Sequence, residues 1–483
     1  MNTAKPHTPL PTLGHMPTTS PTLTTPSVST GQKIIFSTGG GVQQFAHTAP
    51  HYLANPIFNL ALGMNPVYIG IVLAIARLWD ALADPLVGNI SDNANTRWGR
   101  RRPFMVAGAI LMGVSFAAMW WLPLDGTQSF YFGYFLFTIL SFYTGVTLFI
   151  VPWNALGIEL ASDYDERTSL FAYAGGTHKV IGFITGWLYP LAQLAVFQNV
   201  LEGARVVGCV CGTILTVVCL VPALTLKEPP PRSSPRAPRN REPFLKAMKV
   251  VLSNRVLLLF SAACLSTMTS LFTVSSLGLY INIYHIFAGD KVAAATMMGI
   301  WGTTFNAIAM ISIPGVLWLA HRVEKHRAIM IALGMVSISA ILKFVLYTPA
   351  APYLQLTVAL LQAPGLAAYL VLVSSMTADI VDYDESLSGR RREALIAAAT
   401  TWITKMGVSL SFIFAGLVLS VTGFDASLGA DQPQGTVLGM RILFCGIPAT
   451  GTLIALFILS GYPLTRSRVE EIQSQLRQSR SVE

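Results

Sequence analysis

Long apolar runs follow one another from residue 34 to residue 462, separated by short polar breaks. A run of about 20 apolar residues crosses a bilayer as a helix. The pattern therefore predicts twelve spans, at 34–61, 67–91, 104–122, 130–157, 168–195, 205–226, 255–284, 295–321, 328–348, 353–381, 394–422 and 438–462. Positive charge alternates between the breaks. Arg97, Arg100, Arg101 and Arg102 follow the second span, Arg322, Lys325 and Arg327 the eighth, and Arg390, Arg391 and Arg392 the tenth, whereas 62–66, 123–129, 349–352 and 423–437 hold no Lys or Arg. Because short basic loops stay on the cytoplasmic side, this predicts an integral multi-pass protein of the plasma (inner) membrane with both termini in the cytoplasm.

The pattern also divides the chain. Residues 1–32, rich in Thr, Pro and Ser, have no charged segment leading into an apolar one and predict a disordered cytoplasmic tail. Residues 227–254 form a cytoplasmic linker whose 227–243 stretch, KEPPPRSSPRAPRNREP, is too polar to insert and too Pro-rich for helix, with a short amphipathic surface helix expected at 244–255. It separates bundles 33–226 and 255–462, and 463–483 is expected to be a second cytoplasmic tail. The halves repeat: DYDE occurs at 163–166 after span four and at 382–385 after span ten. A lysine follows about four turns later in each, Lys179 in span five and Lys405 in span eleven, with a glycine within three residues. Duplicated six-helix halves around a central site are a transporter plan. The fold class read from the pattern is an all-α membrane protein of two pseudo-symmetric six-helix bundles.

Composition narrows the class. The 483 residues are 53% hydrophobic and 11% charged, with a mean hydropathy of +0.56, against about 25% charged for soluble domains. The net charge of +9 sits in the short loops, so it sets topology and is no nucleic-acid face. Cys209, Cys211, Cys219, Cys264 and Cys445 lie inside apolar runs without metal-ligand spacing and read as small core residues. No nucleophile-base set appears at membrane depth, so an enzyme, a metal site and a cofactor are not expected.

The chemistry concentrates at 77–103, RLWDALADPLVGNISDNANTRWGRRRP. Asp80 and Asp84 stand four residues apart inside an apolar run and share one helix face. Pro85 frees the carbonyl of Ala81 near the same depth. One charge at a helix centre costs about 2.5 to 3.5 kcal/mol on translocon scales, so two acids require a proton, a cation or a basic partner. The pair reads as a cation site, the alternative being a structural brace between helices.

The 77–103 stretch, with 151–170 (VPWNALGIELASDYDERTSL), 378–394 (ADIVDYDESLSGRRREA) and the Lys405-Met406-Gly407 triplet, resembles the glycoside-pentoside-hexuronide:cation symporters, the melibiose-permease-like branch of the major facilitator superfamily. The resemblance implies the major facilitator fold and places the coupling cation at Asp80 and Asp84. It adds Thr147 from helix four, and it makes Lys405 the basic partner of the acids, a role in which Lys179 is its counterpart by repeat. Departures follow as well. The asparagine that some sodium-coupled members hold between the acids is Ala83 here, which leans the coupling ion from Na+ towards H+. The galactoside-binding acids of helices one and four fall at Gln44 and Ile150, and the helix-five arginine falls at Gly175, so recognition of that type is not expected.

Neutral and basic groups stand in their place: Gln43, Gln44, His47 and His51 in span one, Trp153 and Asn154 in span four, and His178 in span five. Amides suit sugar hydroxyls, an indole face suits a pyranose, and imidazole suits a carboxylate. As a bland alternative, the histidines bond helix to helix. A cytoplasmic gate is expected from Arg97, Arg100, Arg101, Arg102, Asp163, Glu166, Arg167, Asp382 and Arg391, pairing across the halves when the carrier opens outward. The reading is secondary active symport of a sugar, glycoside or uronide with H+ or Na+, by a carrier working as a monomer in contact with membrane lipid. A carrier of lysolipids or other amphiphiles in the same fold, and a non-transporting sensor, are the alternatives; the short tails disfavour the sensor.

Overall fold

The computed structural model describes residues 28–161, 163–226, 228, 253–389 and 392–482. The expected tail 1–27, the 229–252 part of the linker with its surface helix, and Arg391 lie outside these residues. Within them the chain is helical, with no strand. The first half holds α1 (Thr30–Ala54), α2 (Pro66–Asn93), α3 (Arg102–Ala118), α4 (Gln128–Leu160), α5 (Tyr164–Thr185) and α6 (Val200–Thr225). The second holds α7 (Arg255–Thr273), α8 (Lys291–Arg322), α9 (Lys325–Leu346), α10 (Ala359–Ser388), α11 (Glu393–Val421) and α12 (Gln434–Ser460), followed by α13 (Arg466–Val482).

Nine of the described helical segments are long and apolar enough to cross a membrane. α3 falls short by length, and α1 and α5 by the polar groups they carry, among them Gln44, His47, His178 and Lys179. Helix starts follow local chemistry. Ser29 and Gln32 form a capping box on α1, and Asn65, Asp163, Asn199, Asn254 and Asp290 cap α2, α5, α6, α7 and α8. Each such cap stabilises its helix by about 1 kcal/mol.

Three boundaries differ from expectation. α1 starts at Thr30, inside the stretch expected to be tail. The two DYDE copies also differ in structure: Asp163 caps α5, whereas Asp382 and Glu385 lie in the last turns of α10, which runs on to a left-handed Gly389. Hydrophobicity alone ended span ten too early, because the final turns are polar. The expected C-terminal tail is instead α13, an amphipathic helix that buries Ile472 and packs Val469 and Leu476 against the second-half core. Gln473 donates to Asp382 at 3.0 Å, tying α13 to the end of α10.

Each half is held at its arginine-rich end by its own ion pairs. In the first, Arg100 and Arg101 reach Glu159 at 3.1 and 2.6 Å, and Arg101 reaches Asp92 at 3.0 Å. In the second, Lys325 meets Asp379 and Arg392 meets Asp384, both at 2.8 Å. The halves meet through α2 against α11 and α5 against α8. At the arginine-poor end this seam is closed. Asn55 donates to Ser276 at 3.0 Å, Tyr280 to Asn59 at 2.7 Å and Trp187 to Thr303 at 2.9 Å. Gly70 lies against the carbonyl of Phe412 so closely that a Cβ would stand 2.3 Å from its oxygen. Towards the arginine-rich end no cross-half hydrogen bond appears among the described residues, and Gly175 and Gly176 of α5 face open space. The seam is open at that end.

A methyl at Gly70 is therefore expected to push the closed seam apart. In Gly70→Ala, spin labels at Leu124→Cys and Leu428→Cys, exposed and one in each half, should report a longer distance distribution; an unchanged distribution would show that the seam absorbs the methyl. Gly40→Ala, where a Cβ would meet the Ala174 carbonyl within one half at 2.1 Å, should lower the melting temperature without lengthening that distance.

Candidate functional site

α2 carries the site because its sequence sets three charges on one face: Arg77, Asp80 and Asp84 at i, i+3 and i+7. Opposite them α11 brings Lys405. Its ammonium lies between the carboxylates, 2.9 Å from Asp80 Oδ2 and 2.8 Å from Asp84 Oδ2. Thr147 of α4, buried, lies 3.5 Å by its hydroxyl from Asp80 Oδ1. These contacts join helices two, four and eleven at one depth, and the Lys405 bond crosses between the halves. Asp80 is nearly enclosed, while Asp84 is reached by solvent from the open end, with 38% of its side chain exposed.

The fourth charge, Arg77, was not singled out by sequence reasoning, although its place three residues before Asp80 was the available signal. It is buried, donates to the His47 carbonyl at 3.0 Å, and places Nη1 3.0 Å from His47 Nδ1 and Nη2 3.1 Å from His51 Nε2. A guanidinium only donates. Both imidazoles must therefore accept from it, which keeps them neutral and puts the hydrogen on His47 Nε2 and His51 Nδ1. The Arg77 guanidinium also lies 5.0 Å from the centre of the Tyr143 ring, whose hydroxyl donates to the Ala46 carbonyl at 3.2 Å. Two acids and two cations, Lys405 and Arg77, thus lie in one region of the spans, and their formal charges balance.

The other candidates separate into groups. His51 stacks on Phe412 of the opposite half, ring centres 4.4 Å apart. His47 is exposed in mid-span. Gln44 and Asn306 of α8 both border Gly182, and Asn306 donates to the Gly182 carbonyl at 3.2 Å. His178 lies beside the Gly40 carbonyl, next to Lys179. Gln43 and Asn154 are half-buried. Trp153 is not at the cavity: it is 1% exposed, stacks on Phe36, fills the space above Gly39 and donates to the Phe36 carbonyl at 3.0 Å. That is a packing role. Lys179 is not at the acid pair either; only Lys405 bridges it.

The residues expected to form a gate make contacts within their own halves where the structure describes them. Arg100 and Arg101 are held by Glu159 and Asp92, and the backbone amides of Arg100, Arg101 and Arg102 donate to Glu228. Arg102 reaches the carbonyls of Ala223 and Leu224. Arg97 is exposed, Asp163 caps α5, and Arg167 lies near the Ile158 carbonyl at 3.5 Å. Glu166 accepts from the Val28 amide, and Asp382 from Gln473.

Removing Lys405 leaves two facing carboxylates. Lys405→Met is expected to destabilise the chain by about 1 to 3 kcal/mol, the full effect of breaking a buried pair being reduced by the exposure of Asp84. Adding Asp84→Asn should recover part of the loss, because it removes the repulsion between the two carboxylates. Melting temperatures of the wild type, both single variants and the double variant check this; a double variant no more stable than Lys405→Met would mean that Lys405 does not act through charge.

Comparison with known proteins places this geometry. The sequence pattern of the family described as MFS/sugar transport protein matches residues 35–466. The chain is 22% identical to the glucuronide carrier protein homolog of Escherichia coli (strain K12), over 93% of this chain and 95% of that one. It is 24% identical to the sodium-dependent lysophosphatidylcholine symporter 1 of Xenopus tropicalis, over 93% and 90%. Among solved structures, a bacterial homolog of the human lysosomal transporter Spinster, in its inward-facing and unoccupied conformation, superposes with a TM-score of 0.70 at 15% identity, covering 91% of this chain and all of that one.

Proposed function

This chain belongs to the MFS/sugar transport protein family, and from that premise we propose that it is a proton-coupled symporter of a sugar or glycoside, working by alternating access. It is a multi-pass membrane protein of a cation-coupled symporter family. The observation that carries the finer reading is the Lys405 ammonium held between Asp80 and Asp84, an ion pair that crosses the seam in mid-span. With the arginine-rich end in the cytoplasm, the structure is the inward-facing state.

Lys405 stands where a coupling cation would. A proton or a metal ion on the acids competes with the ammonium and so acts on the bond between α2 and α11. Reorientation is then favourable only when charge is balanced, by Lys405 alone or by cation with substrate. Sodium seeks several hard oxygens, and Ala83 supplies none; a proton needs a single carboxylate oxygen. Gln44 and Asn306 offer amides that suit sugar hydroxyls from both halves.

A second reading, a carrier of amphiphiles, draws on two observations. One relative bears the name of a lysophosphatidylcholine symporter. A groove of about 540 Å³ between α7, α11 and α12 is lined by Leu265, Phe414, Ile447 and Ile454 with Ser266 and Thr269 on its floor. Such a lining suits an acyl chain better than a sugar.

Proteoliposomes separate these readings. Under an imposed proton gradient, labelled methyl glucoside or methyl glucuronide should accumulate above equilibrium, and Asp84→Asn should abolish accumulation while leaving exchange of preloaded substrate. Accumulation driven by sodium alone would overturn proton coupling, and accumulation of lysophosphatidylcholine but neither sugar would select the second reading.

A further inference from the structure

The charges in the middle of the spans do not cancel. Asp80 and Asp84 are bridged by Lys405, and Arg77, three residues before Asp80 on the same helix, makes the formal charges even. Arg205 and Arg441, near the arginine-poor end, donate to the carbonyls of Leu122 and Phe344. Two lysines remain. Lys343, 5% exposed, lies 4.6 Å from the centre of the Phe444 ring, three residues from the end of α9. Lys179 is partly exposed and lies about 22 Å along α5 from its first residue, at 1.5 Å per residue. Among the described residues no carboxylate meets it within ion-pair distance. A charge at that depth is costly, and in membrane proteins it marks a substrate or ion path by default.

Its surroundings say what it can meet. One face of α5 packs on α1: Ala174 lies against Gly40, Thr177 donates to the Ser37 carbonyl and Ile181 touches Gly41. The face with Gly182 and Gly186 packs on α8, against Asn306 and Gly302. Lys179 precedes those glycines by three and seven residues and shares their face. One turn back towards the start of α5, at Gly175 and Gly176, nothing lies within 4 Å of where a Cβ would stand. Lys179 therefore sits at the level where α5 and α8 part. His178 lies beside it, and His47 is exposed on the neighbouring α1. Because Arg77 occupies His47 Nδ1, that ring can offer the cavity only its Nε2 hydrogen. The wall thus presents an ammonium and an imidazole that both donate. Sugar hydroxyls need acceptors as well as donors, whereas a carboxylate or phosphate only accepts.

We propose that Lys179, flanked by His178 and His47, is the subsite for a single anionic oxygen group of the substrate, a carboxylate or a phosphate. The assignment rests on the transporter reading above and adds the substrate class: a uronide-type sugar or a lysolipid phosphate, in preference to a neutral glycoside. The anion neutralises Lys179 in the cavity as the acid pair neutralises Lys405, so the loaded carrier holds no unmatched charge on that wall.

The test is equilibrium binding to the purified full chain in nanodiscs with three probes: methyl glucuronide, the neutral methyl glucoside, and lysophosphatidate. At least one anion should bind tighter than the glucoside by about ten- to a hundredfold, the range of a hydrogen bond to a charged group. Which anion does so separates the uronide source from the lipid one. Lys179→Gln should remove the preference, Lys179→Arg should restore most of it, and Lys291→Gln, a lysine at the start of α8, should leave it intact. Melting temperatures confirm that each variant is folded. Should Lys179→Gln fail to fold, the arginine variant and the glucuronide-to-glucoside ratio of the wild type carry the decision. A glucoside that binds as tightly as both anions, or a folded Lys179→Gln that keeps the preference, overturns the subsite. Anion binding without accumulation under any gradient leaves the subsite standing and removes the transport reading instead.

Discussion

The ammonium of Lys405 between two carboxylates of the opposite half is the contact on which the arrangement turns. Remove it and each half is still a bundle, stapled by its own ion pairs at the arginine-rich end. What disappears is the ion pair that, among the described residues, joins one half to the other. The surroundings fit that role. Arg77 stands three residues before Asp80 on the same face, Thr147 borders Asp80, and His47 and His51 are fixed as neutral acceptors by the same arginine. The site is thus a balanced quartet of charges in which any new proton or ion forces a rearrangement of the rest.

That balance also explains why the acids can be so close together. Two facing carboxylates alone would make α2 a poor membrane helix. With a guanidinium one turn before them and an ammonium from α11 they become the centre of the fold. A site that must change partners during work is in this way stable in at least one state.

Much of this was legible in the sequence. The bundles and the acid pair followed from apolar runs, i+4 spacing and the repeated halves, and Lys405 as partner of the acids was implied by the family resemblance. Arg77 was missed because attention to acids left the i−3 position unread. Trp153 was misplaced because an indole at mid-depth looks the same in sequence whether it lines a cavity or fills the space over Gly39. The extra turns of α10 and all of α13 were missed since polar helices leave no hydropathy signal; their stability comes from tertiary contacts such as Ile472 in the second-half core. The two DYDE copies, alike in letters, cap one helix and end another, since the residues around them differ.

The seam at Gly70 and Phe412 has a further consequence. There the halves touch backbone to backbone, and the neighbouring Asn55, Asn59, Tyr280 and Ser276 carry no charge. Closure at that end depends on steric fit and neutral hydrogen bonds, which ionic strength barely touches. The opposite end is stapled within each half by guanidinium and carboxylate groups, some buried and some, like Glu159 and Arg392, partly exposed to screening by salt. The two mouths are therefore made of different materials, and the ionic composition of the medium acts on the staples of one more than on the closure of the other.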